Sequence, residues 1–543
     1  MKRTLITSCL VASLLVGAGC TPVAQDLQTG LHALRIPYKY GDFDKGSAIA
    51  DGYAKKCDES GNRTKNSLVW HLENATFLRY TAKKEDFQKA QNEFEKATLL
   101  WHLTKADQDR TFAGVFSGFY RPKRFESAFM FTWHALNSQY VNDTDSALGY
   151  LVNYATFRDE TLKTGKLRDE PLQVLVRKTS NKEIAHMRHV HQESRRNSKQ
   201  PTPVVLPEDI EEAKIRIWER TRDTIARKFA PNYGAPIDSF PRREEVRIEL
   251  PSYLYFLFLW SQANGNTDIA ELENEVRELK KNSQHPVVLA DIARFEQAQG
   301  TGGGRAKKTP RPAPTVYVFF ETGNAPFISS TYEYFHVDRL ARAHSPFEVG
   351  ADKQMLNFPE VHYSHGHAPY LTVSADGASP TQTVKILDVR EIVSQYYTFK
   401  LPGFLDAQVG KIVHSAASQI TSRDKQQKDK KHQEWLANLR PEAREAMIRD
   451  YRNNEKNKAE WAKVQNGLAP DDRAPSFESG FFETQPDNVQ VARVDRPQNG
   501  VINITVGATT KQVKLEGGNV TVVWVKSSHG KADPVITQFT LSK

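Results

Sequence analysis

A chain of 543 residues is too long for one hydrophobic core and has the length of roughly three or four domains. Hydrophobic content of 39%, with 28 Phe, 19 Tyr and 8 Trp, excludes a disordered chain and supplies aromatic-rich cores. The formal net charge of +9 leaves anionic surfaces open as partners.

In chain order, the first signal is Met1 to Cys20. Lys2 and Arg3 form a cationic start, Leu5 to Val16 is apolar apart from Thr7, Ser8, Cys9 and Ser13, and Gly17-Ala18-Gly19-Cys20 follows. This is the pattern of a secretion signal, and the small-residue run ending in Cys resembles a lipoprotein signal. Gly17 stands where that pattern prefers Leu, Val or Ile, and an ordinary cleavage near Ala18 is the alternative. The resemblance implies a signal peptide over 1–19 and acylation of Cys20. The apolar core is shorter than the roughly 20 residues that a membrane span needs. Thr21 is not the Asp that marks inner-membrane retention, which favours the outer membrane of a Gram-negative bacterium. Export removes nucleic acid as a partner. With Cys9 lost and Cys20 acylated, only Cys57 remains, so no internal disulfide forms.

Residues 20–64 are polar with little periodicity and read as the acylated Cys and a tether. From Asn66 the pattern turns helical, with Leu68, Leu72, Ala75 and Leu78 on one face. Ala90, Phe94 and Ala97 follow with the spacing of the second helix of a tetratricopeptide repeat. A second pair carries Phe125, Ala128, Phe131, Ala135 and Leu136, then Ala147, Leu151 and Tyr154, and a third spans Pro251–Ala263 and Ile269–Leu279. Ala90 and Ala147 are 57 residues apart, so these are degenerate repeats with insertions, or else a generic helical bundle. Between them lie a basic, Pro-broken region (Lys178–Pro207) and a long helical pattern (Glu208–Phe229). The apolar run Tyr253–Trp260 reads as a buried helix.

After the helical domain at 65–299, Gly300–Gly304 and the Lys/Pro run to Pro312 form a linker over 300–314. A strand, Thr315–Phe320, then opens an α/β part at 315–420. Residues 421–470 read as an inserted charged helical hairpin. The β-meander at 471–543 has strands near 489–494, 501–506, 511–515, 520–526 and 535–541, turned by Asn499-Gly500 and Gly517-Gly518-Asn519. The fold class is multi-domain α+β: a TPR-like helical hairpin array, then an α/β domain with a meander and an insertion.

The strand followed by the turn Glu321-Thr322-Gly323-Asn324-Ala325-Pro326, and later Leu401-Pro402 with an amphipathic helix, resembles a family of uncharacterised conserved bacterial lipoproteins. Those carry tetratricopeptide-like helices behind a lipidated Cys, and the strands Val489–Arg493 and Val520–Lys526 fit the family's end. The resemblance covers roughly 66–543. It implies a compartment and an architecture, with no activity to assign to named residues.

His362, His365 and His367 form the one cluster in 315–420 with metal-ligand chemistry, joined by Glu360 for an acid/base reading. On a strand His362 points away from the other two, so convergence fails. His186, His189 and His191 repeat the spacing in a helical context, where His191 leaves the face of His186. Gly300–Lys308 lacks the order of a P-loop, since Arg305 occupies the place of its second Gly. No Gly-x-Ser-x-Gly elbow or His-Glu-x-x-His motif occurs. Trp70, Trp101, Trp133, Trp218 and Trp260 lie at helical spacing and read as core, and Cys57 as a buried thiol. No metal, cofactor or catalytic residue is therefore expected. The expected function is a non-enzymatic, membrane-anchored scaffold whose helical domain binds an envelope protein. An envelope hydrolase or anionic-glycan binder with its site in 315–420 is the alternative.

Overall fold

Thr315–Thr322 forms strand β1, and all eight of its side chains are buried. A strand without polar alternation needs cover on both faces, and β1 has it. Its odd-numbered residues Tyr317 and Phe319 join the helical core, while Val316, Val318 and Phe320 join a second core beneath. The computed structural model describes residues 23–61, 66–108, 120, 122–164, 185–190, 192–193, 212, 248–263, 269–300, 312–336, 353–396, 426–428, 430–431, 434–435, 482–530 and 532–542.

Nine helices longer than eight residues lie among these: α1 (Val23–Tyr40), α2 (Phe43–Glu59), α3 (Ser67–Tyr80), α4 (Lys84–Gln108), α5 (Arg124–Tyr140), α6 (Thr144–Thr164), α7 (Glu249–Gln262), α8 (Ile269–Asn282) and α9 (Pro286–Gly300). Each packs on the next along the chain. None is long and apolar enough to cross a membrane. The strands after β1 are β2 (Phe327–His336), β3 (Lys353–His362), β4 (Leu371–Ala375), β5 (Thr381–Gln382), β6 (Val384–Asp388), β7 (Asn488–Asp495), β8 (Val501–Val506), β9 (Thr509–Lys514), β10 (Val520–Ser527) and β11 (Val535–Ser542). The class is mixed α+β, with helices in the N-terminal half and mixed sheets in the C-terminal half.

The central sheet has the order β11-β10-β1-β7-β6. Its β1–β10 pair is parallel and the remaining pairs are antiparallel. A four-stranded antiparallel sheet, β5-β4-β8-β9, closes the second core, and β2–β3 is a separate hairpin. All five expected C-terminal strands form, but not as a meander. The 300-series strand β1 intervenes between β7 and β10, while β8 and β9 leave for the other sheet.

On the opposite face, α5 and α7 pack against β11, and α9 against β7. This explains why α5 and α7 are buried nearly all round, while α3 is enclosed by α2, α4 and α5. Trp70, Trp101, Trp133 and Trp260 are core residues, as is Cys57; Trp218 lies outside the described residues.

The expected tether over 20–64 is corrected by α1 and α2. Leu27, Leu31, Leu34 and Tyr38 recur every three or four residues and are buried, as are Phe43, Ala50, Ala54 and Cys57. The stripe is one residue wide and flanked by polar positions, so it is weak in sequence yet sufficient once α3 supplies a surface. The close α2–α3 contact needs Gly46, because a Cβ there would overlap the Phe77 ring. Gly52 in the same helix faces open space. Gly46→Ala is therefore expected to lose about 1–3 kcal/mol through overpacking, whereas Gly52→Ala gains about 0.5–1 kcal/mol from helix propensity. Denaturant unfolding of the two variants checks the opposite signs.

Candidate functional site

The period of two along β1 puts Glu321 on the helix-facing side, at the end of the row Tyr317, Phe319. In β10 the same phase gives Val522, Trp524 and Lys526, and the parallel register pairs Phe319 with Trp524 and Glu321 with Lys526. The two rings stack with centroids 4.7 Å apart. Beyond them the apolar face ends in two opposite charges with no access to water.

Glu321 is completely buried and collects four partners. Arg79 donates to it at 2.9 Å, the Tyr80 hydroxyl at 2.5 Å and the Trp524 indole N–H at 2.7 Å, while Lys526 Nζ lies 3.8 Å away. Burial alone would raise the Glu321 carboxyl, but Arg79 and Lys526 outweigh it and hold it below its ordinary value. Arg79 also stacks over Trp133 and Tyr80, at 4.7 and 4.5 Å. Lys526 donates to the Tyr38 hydroxyl at 2.7 Å and lies over the Tyr38 ring. One carboxylate thus serves two cations. Burial pushes the Lys526 amine down to about 7 against the pull of Glu321.

The chain leaves β1 through Gly323, whose φ of +71° favours glycine. A Cβ would also lie 2.8 Å from the Asp487 Cβ and the His367 Nδ1. Asp487 faces His367 at 3.4 Å and Arg390 at 3.1 Å. Burial would raise its carboxyl, but these two partners lower it. Asn324 follows, held through its backbone by Ser364, while its buried side-chain Oδ1 has no hydrogen-bond partner.

Beside this turn is a cavity of about 300 Å³ between α1, α3, the turn after β1, the loop after β3 and residues Glu483 and Thr484. Leu31, Leu34, Tyr38 and Ala325 give it apolar walls. Its polar groups are tied in pairs. Arg35 makes a bidentate bond to Glu483 at 2.7 and 2.9 Å and lies 4.0 Å over the Phe327 ring. Glu73 accepts the Glu483 N–H at 2.8 Å and bonds the Thr484 hydroxyl. Burial raises Glu73 to about 8 despite those bonds, so it is largely uncharged at neutral pH. Lys39 and His365 are exposed on its lining and mark the mouth.

The three histidines of the expected cluster do not converge. His362 ends β3 and stacks on Phe327 at 4.6 Å, His365 is exposed, and His367 turns inward to Asp487. His186 and His189 are exposed, and His189 lies 3.8 Å from Glu193. Among the described residues no group of three or more His, Cys, Asp or Glu is placed to hold a metal. Cys20, His191, the side chain of Glu360, most of the 300–314 linker and nearly all of the 421–470 insertion lie outside what the structure describes. Sequence reasoning named Glu321 only within a turn motif and gave it no role in a site, although a signal was present: opposite charges ending two apolar faces of equal phase. The cavity had no such signal, because its walls come from residues 31 to 484.

No family model matches the chain, and no curated protein or solved structure matches it.

Proposed function

We propose that this is an exported lipoprotein, acylated at Cys20 and held at the cell envelope, that binds a partner without chemistry. In this reading the helices are TPR-like hairpins interrupted by insertions, with a further charged hairpin inserted over 421–470. They hold their own sheet where such arrays usually hold a partner. An open binding feature among the described residues is then the cavity beside the β1 turn.

One observation carries the choice of binding over catalysis. Within the cavity walls Arg35 is held by Glu483 and Glu73 by the Glu483 N–H and the Thr484 hydroxyl, and the histidines of the hydrolase reading diverge. A nucleophile or general base needs a partner aimed at substrate. The expected scaffold role is retained, with its contact surface moved from the inner helical face to this end of the molecule.

Photo-crosslinkers at Lys39 and His365 test the reading in intact cells. In the wild type they should capture one discrete envelope component, with none captured from Val152 on α6. The Cys20→Ala chain should move to the soluble fraction and lose that adduct while unfolding at the same temperature. Retention of Cys20→Ala in the membrane counts against the anchor. Equal capture from Val152 counts against the cavity.

A further inference from the structure

We infer that the outer face of α1 lies on an anionic phospholipid bilayer and fixes the orientation of the whole body, with the cavity mouth beside the headgroups. The inference rests on the proposed acylation of Cys20.

The first observation is the shortness of the leash. Helix α1 starts at Val23. Three residue steps reach at most about 11 Å, so an acylated Cys20 keeps the start of α1 within about that distance of the membrane. A lipoprotein with a long tether would leave its body free to tumble. This one has no length to do so.

The second observation is the division of α1 into two faces. Leu27, Leu31, Leu34 and Tyr38 are buried in the body. Ile36 and Tyr40, four residues apart, are 59% and 60% exposed, and exposed His32 and Lys39 flank them. Folding has left two large apolar side chains outside on a helix whose other face is fully used. An aliphatic side chain, an amphipathic aromatic ring and a long lysine suit the boundary between acyl chains and headgroups. Lys39 adds electrostatic attraction to an anionic surface.

The third observation is distance along the helix. Ile36 is about 20 Å from Val23 at 1.5 Å per residue, beyond the leash itself. If α1 stood upright, Ile36 and Tyr40 would be held in water. With α1 flat, both ends reach the interface together. So small a patch would bind weakly alone, but the acyl anchor supplies the effective concentration that makes it count. Lys39 is shared between this face and the cavity lining, so the mouth opens at the same level.

Cysteine usage makes the test clean. Cys57 is buried and Cys20 is consumed by acylation, so one introduced cysteine is labelled alone. The acylated full chain carrying Ile36→Cys or Leu289→Cys would be labelled with an environment-sensitive fluorophore. It would then be placed in phosphatidylethanolamine–phosphatidylglycerol vesicles containing brominated lipid. Leu289 is on α9, whose Asp291 and Arg294 pair with Arg493 and Asp495 at the far end of the central sheet from α1. Quenching at position 36 should exceed that at 289 several-fold. Equal quenching in protein that floats with the vesicles overturns the docked orientation and leaves the anchor standing. Protein that does not float overturns both. A label at 36 shielded from aqueous iodide but unquenched by lipid means a second copy covers the face, which also overturns the inference.

Discussion

Glu321→Gln should cost about 3–5 kcal/mol of folding stability, the range for breaking a buried ion pair from one side. The substitution keeps the shape of the side chain and one acceptor oxygen. It removes the charge that Arg79, at 2.9 Å, depends on. Arg79 cannot escape by losing its proton, and it is buried between Trp133 and Tyr80. Against the 5–15 kcal/mol of a typical domain this is a large fraction. Urea unfolding at neutral pH should show it as a marked fall in the midpoint. The double variant Arg79→Met with Glu321→Leu removes both charges of the pair and should recover much of the loss. A loss below about 1 kcal/mol for Glu321→Gln would mean that water reaches the pair, and the account of a sealed network would fall.

That network also shows where sequence reading stops. Tyr253–Trp260 was legible as a buried helix because an unbroken apolar run admits few alternatives. The five C-terminal strands were legible because Val/Thr alternation bounded by Asn499-Gly500 and Gly517–Asn519 marks them locally. Neighbour order was not legible. Alternation assigns Lys526 a face and says nothing of which strand pairs beside it, so β1 between β7 and β10 could not be foreseen. Helices α1 and α2 were hidden for a different reason. Leu27, Leu31, Leu34 and Tyr38 have the right period, but exposed polar neighbours dilute the signal until α3 is there to receive them. The cavity needs both pieces of missing information at once, since Arg35 meets Glu483 across 448 residues.

Lys526→Met should stabilise the protein at pH 7 by about 1–3 kcal/mol, the cost of burying a polar group that methionine does not carry. The lysine is buried to 3% exposure, and its carboxylate already has Arg79 at closer range. Methionine fills the same channel without a charge. Tyr38 loses the hydrogen bond it takes from Lys526, while Glu321 keeps Arg79, Tyr80 and Trp524. The pH dependence gives the sharper test. Folding lowers the Lys526 pKa from 10.5 to about 7, so between these values the unfolded chain holds a proton that the native chain lacks. Stability from this group is therefore complete above about pH 10.5, and it is lost progressively as pH falls to about 7. The advantage of Lys526→Met should accordingly be largest at pH 7 and shrink towards pH 10, measured as the difference between variant and wild-type unfolding free energies. If the methionine variant is instead weaker at pH 7, Lys526 is charged in the native state and Glu321 needs both cations. The buried cluster would then be a salt bridge of three members, and Glu321→Gln would strand two charges in place of one.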